Sequence, residues 1–244
     1  MANFSDLGYR QLFDDVWYID NTGSTMDDAR ILIGSGDNSD FCLVTAYQSN
    51  GVGRGSGRVW DSREGMNLLF TQTISESQLV LSSQLIPLWV AFNLKAVLQN
   101  IVRKELYIKW PNDILYENRK ISGILCQKYK NRYIIGIGLN VNQTSWPSSL
   151  ENKSTSLKLI DGLERNTHNI LEDYLFYQKD HYDFDIKKFA ESLWGLNHQV
   201  TFTAGVSTRS TEGIIRGVNP DGGLVLECSG REKVYYSGEI SFHR

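Results

Sequence analysis

The chain has 244 residues, 41% hydrophobic and 22% charged, an ordinary globular composition long enough for one sizeable core plus a smaller appended domain. A net charge of −3 speaks against a general nucleic-acid binder. Cys42, Cys126 and Cys228 lie far apart with no C-x-x-C pair or zinc spacing, so they read as buried thiols of a reducing compartment.

Residues 1–8 lack a basic stretch followed by an apolar run, so no secretory signal is expected, the Asn142-Gln143-Thr144 triplet is inert, and the cytoplasm is the expected location. Residues 17–20 read as a first strand. Ser24 and Thr25 then precede Asp27 and Asp28 at the S/T-x-x-D spacing of a capped helix start, and that helix should run to about residue 33 and stop at Gly34. The two hydroxyls either cap the helix or also hydrogen-bond a ligand at its N-terminus.

A β-rich run at residues 41–47 leads into Gln48–Trp60, where Gly51, Gly53, Gly55 and Gly57 stand at every second position, interleaved with Arg54 and Arg58. Such a segment can wrap an anion, because glycine lets backbone N–H groups approach a ligand and two guanidiniums supply charge. The other reading is a flexible surface loop. The spacing is neither G-x-G-x-x-G nor a P-loop. A strand at residues 66–74 leads out. Residues 79–98, with Lys95 their only charge, are apolar enough to suggest a membrane span, but Ser82, Ser83, Gln84, Pro87 and Asn93 favour a buried central helix.

Residues 106–142 read as an antiparallel meander: strands at 106–109, 114–116, 120–129 and 133–141, broken at Pro111 and turned at 112–113, 117–119 and 130–132. Lys120 opens an apolar strand with Gly123 three residues on, and Gly136-Ile137-Gly138-Leu139-Asn140 thins another. Helices at 167–182 and 185–194 follow. The second is amphipathic through Ile186, Phe189, Ala190, Leu193 and Trp194, with Gly195 in the stop position. Beyond it, short alternating segments at 199–203, 211–218, 223–228 and 233–236 describe a small β-barrel, which divides the chain into domains 1–194 and 195–244.

Gly53-Arg54-Gly55 with Gly57-Arg58-x-Trp60, Lys109-Trp110-Pro111-Asn112-Asp113, Lys120-x-x-Gly123-Ile-Leu, Gly136-x-Gly-x-Asn140-x-Asn142 and Gly238-Glu-Ile-Ser-Phe242 occur in the order found in biotin protein ligases. The resemblance covers nearly the whole chain, and the chain resembles the short, monofunctional form without an N-terminal winged-helix DNA-binding domain. One departure is clear. Family loops commonly read G-R-G-R-x-G-R-x-W, whereas here Ser56 and Gly57 directly follow Gly55, one residue and one arginine fewer, and an extra residue lies between Gln48 and Gly53.

The resemblance implies an α+β fold with a mixed, largely antiparallel sheet and helices of the class II synthetase-like kind, plus a C-terminal SH3-like β-barrel. It implies a two-step synthetase that uses ATP and Mg2+, makes biotinyl-5′-AMP, and transfers biotin to a lysine of a biotin carboxyl carrier protein. By matching position, Ser24, Thr25, Gln48, Gly53, Arg54, Lys120 and Gly123 would line the biotin site. Lys120, Arg54 and Arg58 would be catalytic, stabilising charge at the phosphoryl centre. Arg58, Trp60, Lys109, Asn112 and Asn140 would serve the nucleotide, and Asp113 the metal. A homodimer is compatible with this, and neither nucleic acid nor membrane is expected as a partner. The alternatives are a lipoate protein ligase, a biotin-binding protein without catalysis, and an interaction module built on the small barrel.

Overall fold

The computed structural model describes residues 3–55, 57–205 and 209–241; Ser56, Phe242 and His243 lie outside them. In chain order the strands are β1 (Arg10–Phe13), β2 (Val16–Thr22), β3 (Cys42–Gln48), β4 (Leu68–Ser75), β5 (Tyr107–Lys109), β6 (Asp113–Tyr116), β7 (Arg119–Tyr129), β8 (Arg132–Leu139), β9 (Gln199–Ala204), β10 (Ser210–Val218), β11 (Leu224–Cys228), β12 (Arg231–Tyr235) and β13 (Gly238–Ser241). The helices are α1 (Thr25–Gly34), α2 (Ile86–Val102), α3 (Ser148–Glu151), α4 (Leu157–Asp161), α5 (Thr167–Lys179) and α6 (Ile186–Glu191). Strands β1 and β13 were not expected from the sequence. Both are four residues long, and the exposed residues in each leave little alternation to read.

The chain forms two compact units, one from Met1–Val80 with Asn118–Leu175, the other from Leu81–Glu117 with Phe176–Arg244. In the first, the strands lie in the order β1-β2-β3-β4-β8-β7. The β2–β3 pair is parallel and the others are antiparallel, so the sheet is mixed. Helix α1 makes the crossover that parallel strands require. It buries Ala29, Leu32 and Ile33 against Phe41, Leu43 and Ile134. Asp27 and Asp28 in its first turn complement the helix dipole. At its other end Lys130 Nζ donates to the Ile33 and Gly34 carbonyls at 3.1 and 3.4 Å, supplying the cation that the last turn lacks.

Two polar clusters tie this unit together. Asp28 accepts from the Tyr9 hydroxyl at 2.8 Å and from Thr22 Oγ1 at 2.6 Å, joining α1 to β2. Burial, with the Asp28 charge beside it, pushes the Tyr9 phenol far above its ordinary range. Arg132, almost fully buried, pairs with Asp40 and donates to the Asn38 carbonyl at 2.8 Å. Desolvation lowers its pKa from the ordinary arginine value.

In the second unit α2 is buried through Leu88, Trp89, Leu94 and Leu98. It begins at Ile86 rather than at residue 79, with Pro87 in the first turn, where a missing N–H leaves no helical bond unmade. No helix among the described residues is long and apolar enough to cross a membrane. Strands β5 and β6 form a hairpin over a cis Trp110–Pro111 bond. The C-terminal strands form an antiparallel SH3-like sheet in the order β12-β11-β10-β9-β13. Its Asn219–Gly223 turn returns to the same core: Trp110 Nε1 donates to the Gly222 carbonyl at 2.9 Å, and a Cβ on Gly222 would lie 3.0 Å from Leu85 and Leu88. Residues 176–244 therefore pack with 81–117, and the division at residue 195 stands as a proposal about sequence modules rather than about these compact units. The cysteines are free thiols, and burial raises the pKa of Cys42 and Cys126 well above the usual thiol range.

Candidate active site

The N-terminus of α1 stands over the sheet where β4 and β8 pair Thr71 with Gly136. Ser24 occupies the N-cap position in extended geometry and is buried, yet its side chain makes no capping bond. The expectation that it caps the helix by its hydroxyl is thus corrected, and its oxygen is not spent on the helix. Thr25 is buried and directs both its groups sideways. Its N–H donates to Gln48 Oε1 at 2.9 Å, its hydroxyl lies 3.0 Å from the same oxygen, and Thr71 Oγ1 is 2.7 Å away. An amide N–H can only donate, so the Gln48 atom facing it is the carbonyl oxygen, and the NH2 group points away toward Gly51.

The glycine-rich stretch is a hairpin, not an irregular loop. Val52 and Val59 form an antiparallel bridge, Gly53 N donates to Arg58 O at 2.8 Å, and Trp60 N donates to Gly51 O at 2.9 Å. Alternation across such a ladder puts Val52 and Val59 on one face, where both are exposed, and Arg58 with Trp60 on the other. Gly51 and Gly53 are needed opposite them: a Cβ on Gly51 would lie 3.3 Å from the Trp60 carbonyl, and one on Gly53 3.2 Å from Arg58 Cβ. Gly55 and Gly57 take positive φ values of 99° and 74° at the tip, on either side of Ser56.

On its inner face the hairpin lays the Trp60 indole on the sheet. Gly123 and Gly138 are register partners on β7 and β8. A Cβ on Gly138 would fall 2.4 Å from the ring, and one on Gly123 would fall 3.0 Å from the ring and 2.7 Å from Lys120 Nζ. Lys120 Nζ lies 5.4 Å from the Trp60 ring centroid, a cation–π contact. Gly136 is thinned for another neighbour, since a Cβ there would meet Met26 Sδ at 2.5 Å. The contacts close a circuit: Thr25, Gln48, Gly51, Trp60, the Gly123–Gly138 pair, Gly136 and Met26. The Trp60 Nε1 is buried inside it without a hydrogen-bond partner among the described residues.

Asn140 is almost fully buried, and its Nδ2 donates to the Thr155 carbonyl at 3.0 Å and the Lys120 carbonyl at 3.4 Å. Its Oδ1 is left buried without a partner among the described residues. Asn140 thereby braces the strand that carries Lys120. Arg54, at the hairpin, is half-buried. Lys109, Asn112 and Asp113 belong to the second unit. There Lys109 pairs with Asp113 across the β5–β6 hairpin, Asn112 N donates to Lys109 O at 3.2 Å, and Lys109 Nζ stands 5.7 Å from the Trp194 ring centroid.

Four residues of the first unit escaped sequence reasoning. Met26 and Thr71 look like ordinary core in a linear reading. Asn67 and Gln143 fasten the exit of the hairpin: Gln143 Oε1 accepts from Asn67 Nδ2 at 2.6 Å and Arg63 N at 3.0 Å, and Asn67 Oδ1 accepts from Val141 N at 3.1 Å. The period-two glycines at 136 and 138 were the available signal that one face of β8 is thinned to admit bulky neighbours.

Residues 19–142 match the biotin/lipoate A/B protein ligase family, and residues 195–243 match the biotin protein ligase C-terminal domain. The chain is 30% identical over 239 residues to the bifunctional ligase/repressor BirA of Bacillus spizizenii, covering 91% of this chain and 72% of that protein. It is 26% identical over 250 residues to the biotin–[acetyl-CoA-carboxylase] ligase of Mycobacterium tuberculosis, covering 96% and 89%. The structure is similar to that of the biotin protein ligase from Aquifex aeolicus in complex with biotin and ATP, with a TM-score of 0.82 at 25% identity over 95% of this chain and all of that one.

Proposed function

The chain belongs to the biotin/lipoate A/B protein ligase family, and we infer that it is an ATP-dependent biotin protein ligase, forming biotinyl-5′-AMP and passing the biotinyl group to a protein lysine. The observation that carries this reading is the closed circuit around the Gly123–Gly138 floor, which joins a primary ammonium, an indole wall and an oriented amide in one place.

In the first step a biotin carboxylate oxygen bonds to the α-phosphorus of ATP, and the bond from that phosphorus to the bridging oxygen of pyrophosphate breaks. Negative charge gathers on the α-phosphoryl oxygens, where a fixed cation lowers the barrier most. Lys120 is proposed for that place, between the carboxylate and the phosphate. Arg58, on the Trp60 face of the hairpin, stands in for the arginine the shortened loop lacks, with Arg54 as the second guanidinium. Ser24, Thr25, Gln48, Gly53 and Gly123 are proposed to hold biotin. In the second step the lysine ε-nitrogen attacks the acyl carbon, the bond to the AMP oxygen breaks, and the nitrogen gives up a proton. Trp60 and the hairpin keep water from the anhydride during the interval.

Trp60, Lys109, Asn112 and Asn140 complete the proposed nucleotide contacts, with Asn140 acting chiefly through the backbone of Lys120. No group of three or more His, Cys, Asp or Glu side chains able to hold a metal occurs among the described residues. Mg2+ is proposed to enter on the nucleotide phosphates, with Asp113 its one proposed protein ligand. Bound there, the ion would offset phosphate charge. A biotin carboxyl carrier domain is the proposed acceptor and the cytoplasm the proposed location. The net charge of −3 supports the absence of a nucleic-acid partner.

Exchange of labelled pyrophosphate into ATP tests the reading. It should depend on biotin and be unaffected by lipoate; exchange that follows lipoate instead would move the chain to the other branch of its family, and none with either would refute a ligase.

A further inference from the structure

We propose that Thr71 is a positioning residue that sets the affinity for biotin through Thr25 and Gln48, an inference that rests on the assignment of those two residues to the biotin site. Thr71 is fully buried in β4, with Leu43 and Gly136 as its cross-strand neighbours. The core under α1 is built from Met26, Ala29, Leu32, Leu43 and Ile134, and Thr73, the next hydroxyl on this face of β4, is bonded to the Phe41 backbone. A hydroxyl in such a core is costly unless it is bonded, and valine would fill the same volume without that cost. Among the described residues the hydroxyl's contact is the 2.7 Å one with Thr25 Oγ1.

The direction of that bond follows from counting protons. Gln48 Oε1 accepts from the Thr25 N–H and lies 3.0 Å from the Thr25 hydroxyl, which has a single proton. When that proton goes to Gln48, the Thr25 oxygen is left as acceptor and the Thr71 O–H is its donor. The relay then runs Thr71 to Thr25 to Gln48, each hydroxyl donating onward. It fixes the Thr25 rotamer and holds the Gln48 amide with its oxygen inward and both N–H donors turned to the Gly51 side, where a Cβ would lie 3.5 Å from Nε2. A ligand meeting that group must present an acceptor, as the carbonyl oxygen of a urea does. Thr71 never touches the ligand; it orders the donor that does.

Thr71→Val deletes the first donor while keeping the shape. The loss of one neutral hydrogen bond should raise the KM for biotin roughly three- to tenfold, leaving kcat and the KM for ATP within about twofold. Thr71→Ser should restore the wild-type KM. In a Thr25→Val background, where the relay is already cut, Thr71→Val should add nothing. Biotin-dependent pyrophosphate exchange reads all of these, with thermal melting of each variant to show that it folds. An unchanged biotin KM in Thr71→Val, an equal rise for ATP, failure of Thr71→Ser to rescue, or additive effects in the double variant would each overturn the proposal. Wild-type protein with no biotin-dependent exchange would instead refute the ligase assignment on which it rests.

Discussion

At the scale of single residues, the site depends on what is missing as much as on what is present. Gly123 and Gly138 remove side chains where Lys120 and Trp60 must lie, and an added methyl at either would meet the neighbour at 2.7 or 2.4 Å. Lys120 could be singled out in the sequence because a lysine heading an apolar strand has no obvious structural use. Its support could not: the Asn140 amide and the Thr155 N–H both bond the Lys120 carbonyl, from residues distant in the chain. These bonds act on backbone, so truncating the side chain should leave the strand in place. Lys120→Ala is expected to melt within a few degrees of wild type while biotin-dependent pyrophosphate exchange falls by roughly 10²–10³-fold, the scale for one preorganised charge-stabilising donor. Near-wild-type exchange would remove Lys120 from the mechanism.

At the scale of elements, the glycine-rich hairpin and α1 make opposite use of the backbone. Helix α1 is fastened at both ends, by Asp28 with Tyr9 and Thr22 and by Lys130, so the groups at its N-terminus are held in advance of any ligand. The hairpin is bridged at Val52–Val59, with Gly53 N bonded to Arg58 O at 2.8 Å and a longer 3.5 Å contact from Arg58 N to Gly55 O. Four glycines at alternate positions from Gly51 to Gly57 raise the entropic cost of ordering the stretch that carries Arg54 and Arg58. Trypsin should therefore cut after Arg54 or Arg58 in the ligand-free protein, and biotin with ATP should suppress that cleavage severalfold as the tip closes over them. Equal rates with and without ligands would mean that the hairpin does not act as a lid.

At the scale of the whole molecule, the strands after residue 195 are not a detachable appendage. Trp110 Nε1 is satisfied by the Gly222 carbonyl, the Trp110 and Phe202 rings lie 6.5 Å apart, and Leu85 and Leu88 pack on Gly222. A chain ending at Trp194 would lose the Gly222 carbonyl and expose the apolar groups packed on that turn. It is expected to lose cooperative thermal unfolding and adenylate formation together, not carrier labelling alone. A truncated protein that melts cooperatively and still forms adenylate would show that the second unit holds without its C-terminal sheet, and would return the barrel to a role in transfer only.

Local pattern determined much of this protein by itself. The capping spacing at Ser24–Asp28 marks α1, the 3.6-residue period marks α6, period-two alternation and turn residues mark most strands within a residue or two, and the motifs around Gly53, Lys109, Lys120 and Gly136 name the family. Those signals are carried by residues close together in the chain, where propensity and periodicity act. What the tertiary structure alone decided is which residues share a face and a partner. The pairing of Gly123 with Gly138 beneath Trp60, of Thr71 with Thr25, and of residues 81–117 with 176–244 depends on strand register and close approach between distant segments. No linear spacing encodes these, because a shift of one residue in the register of β4, β7 or β8 would turn Thr71 and the bare faces of Gly123 and Gly138 to the opposite side of the sheet.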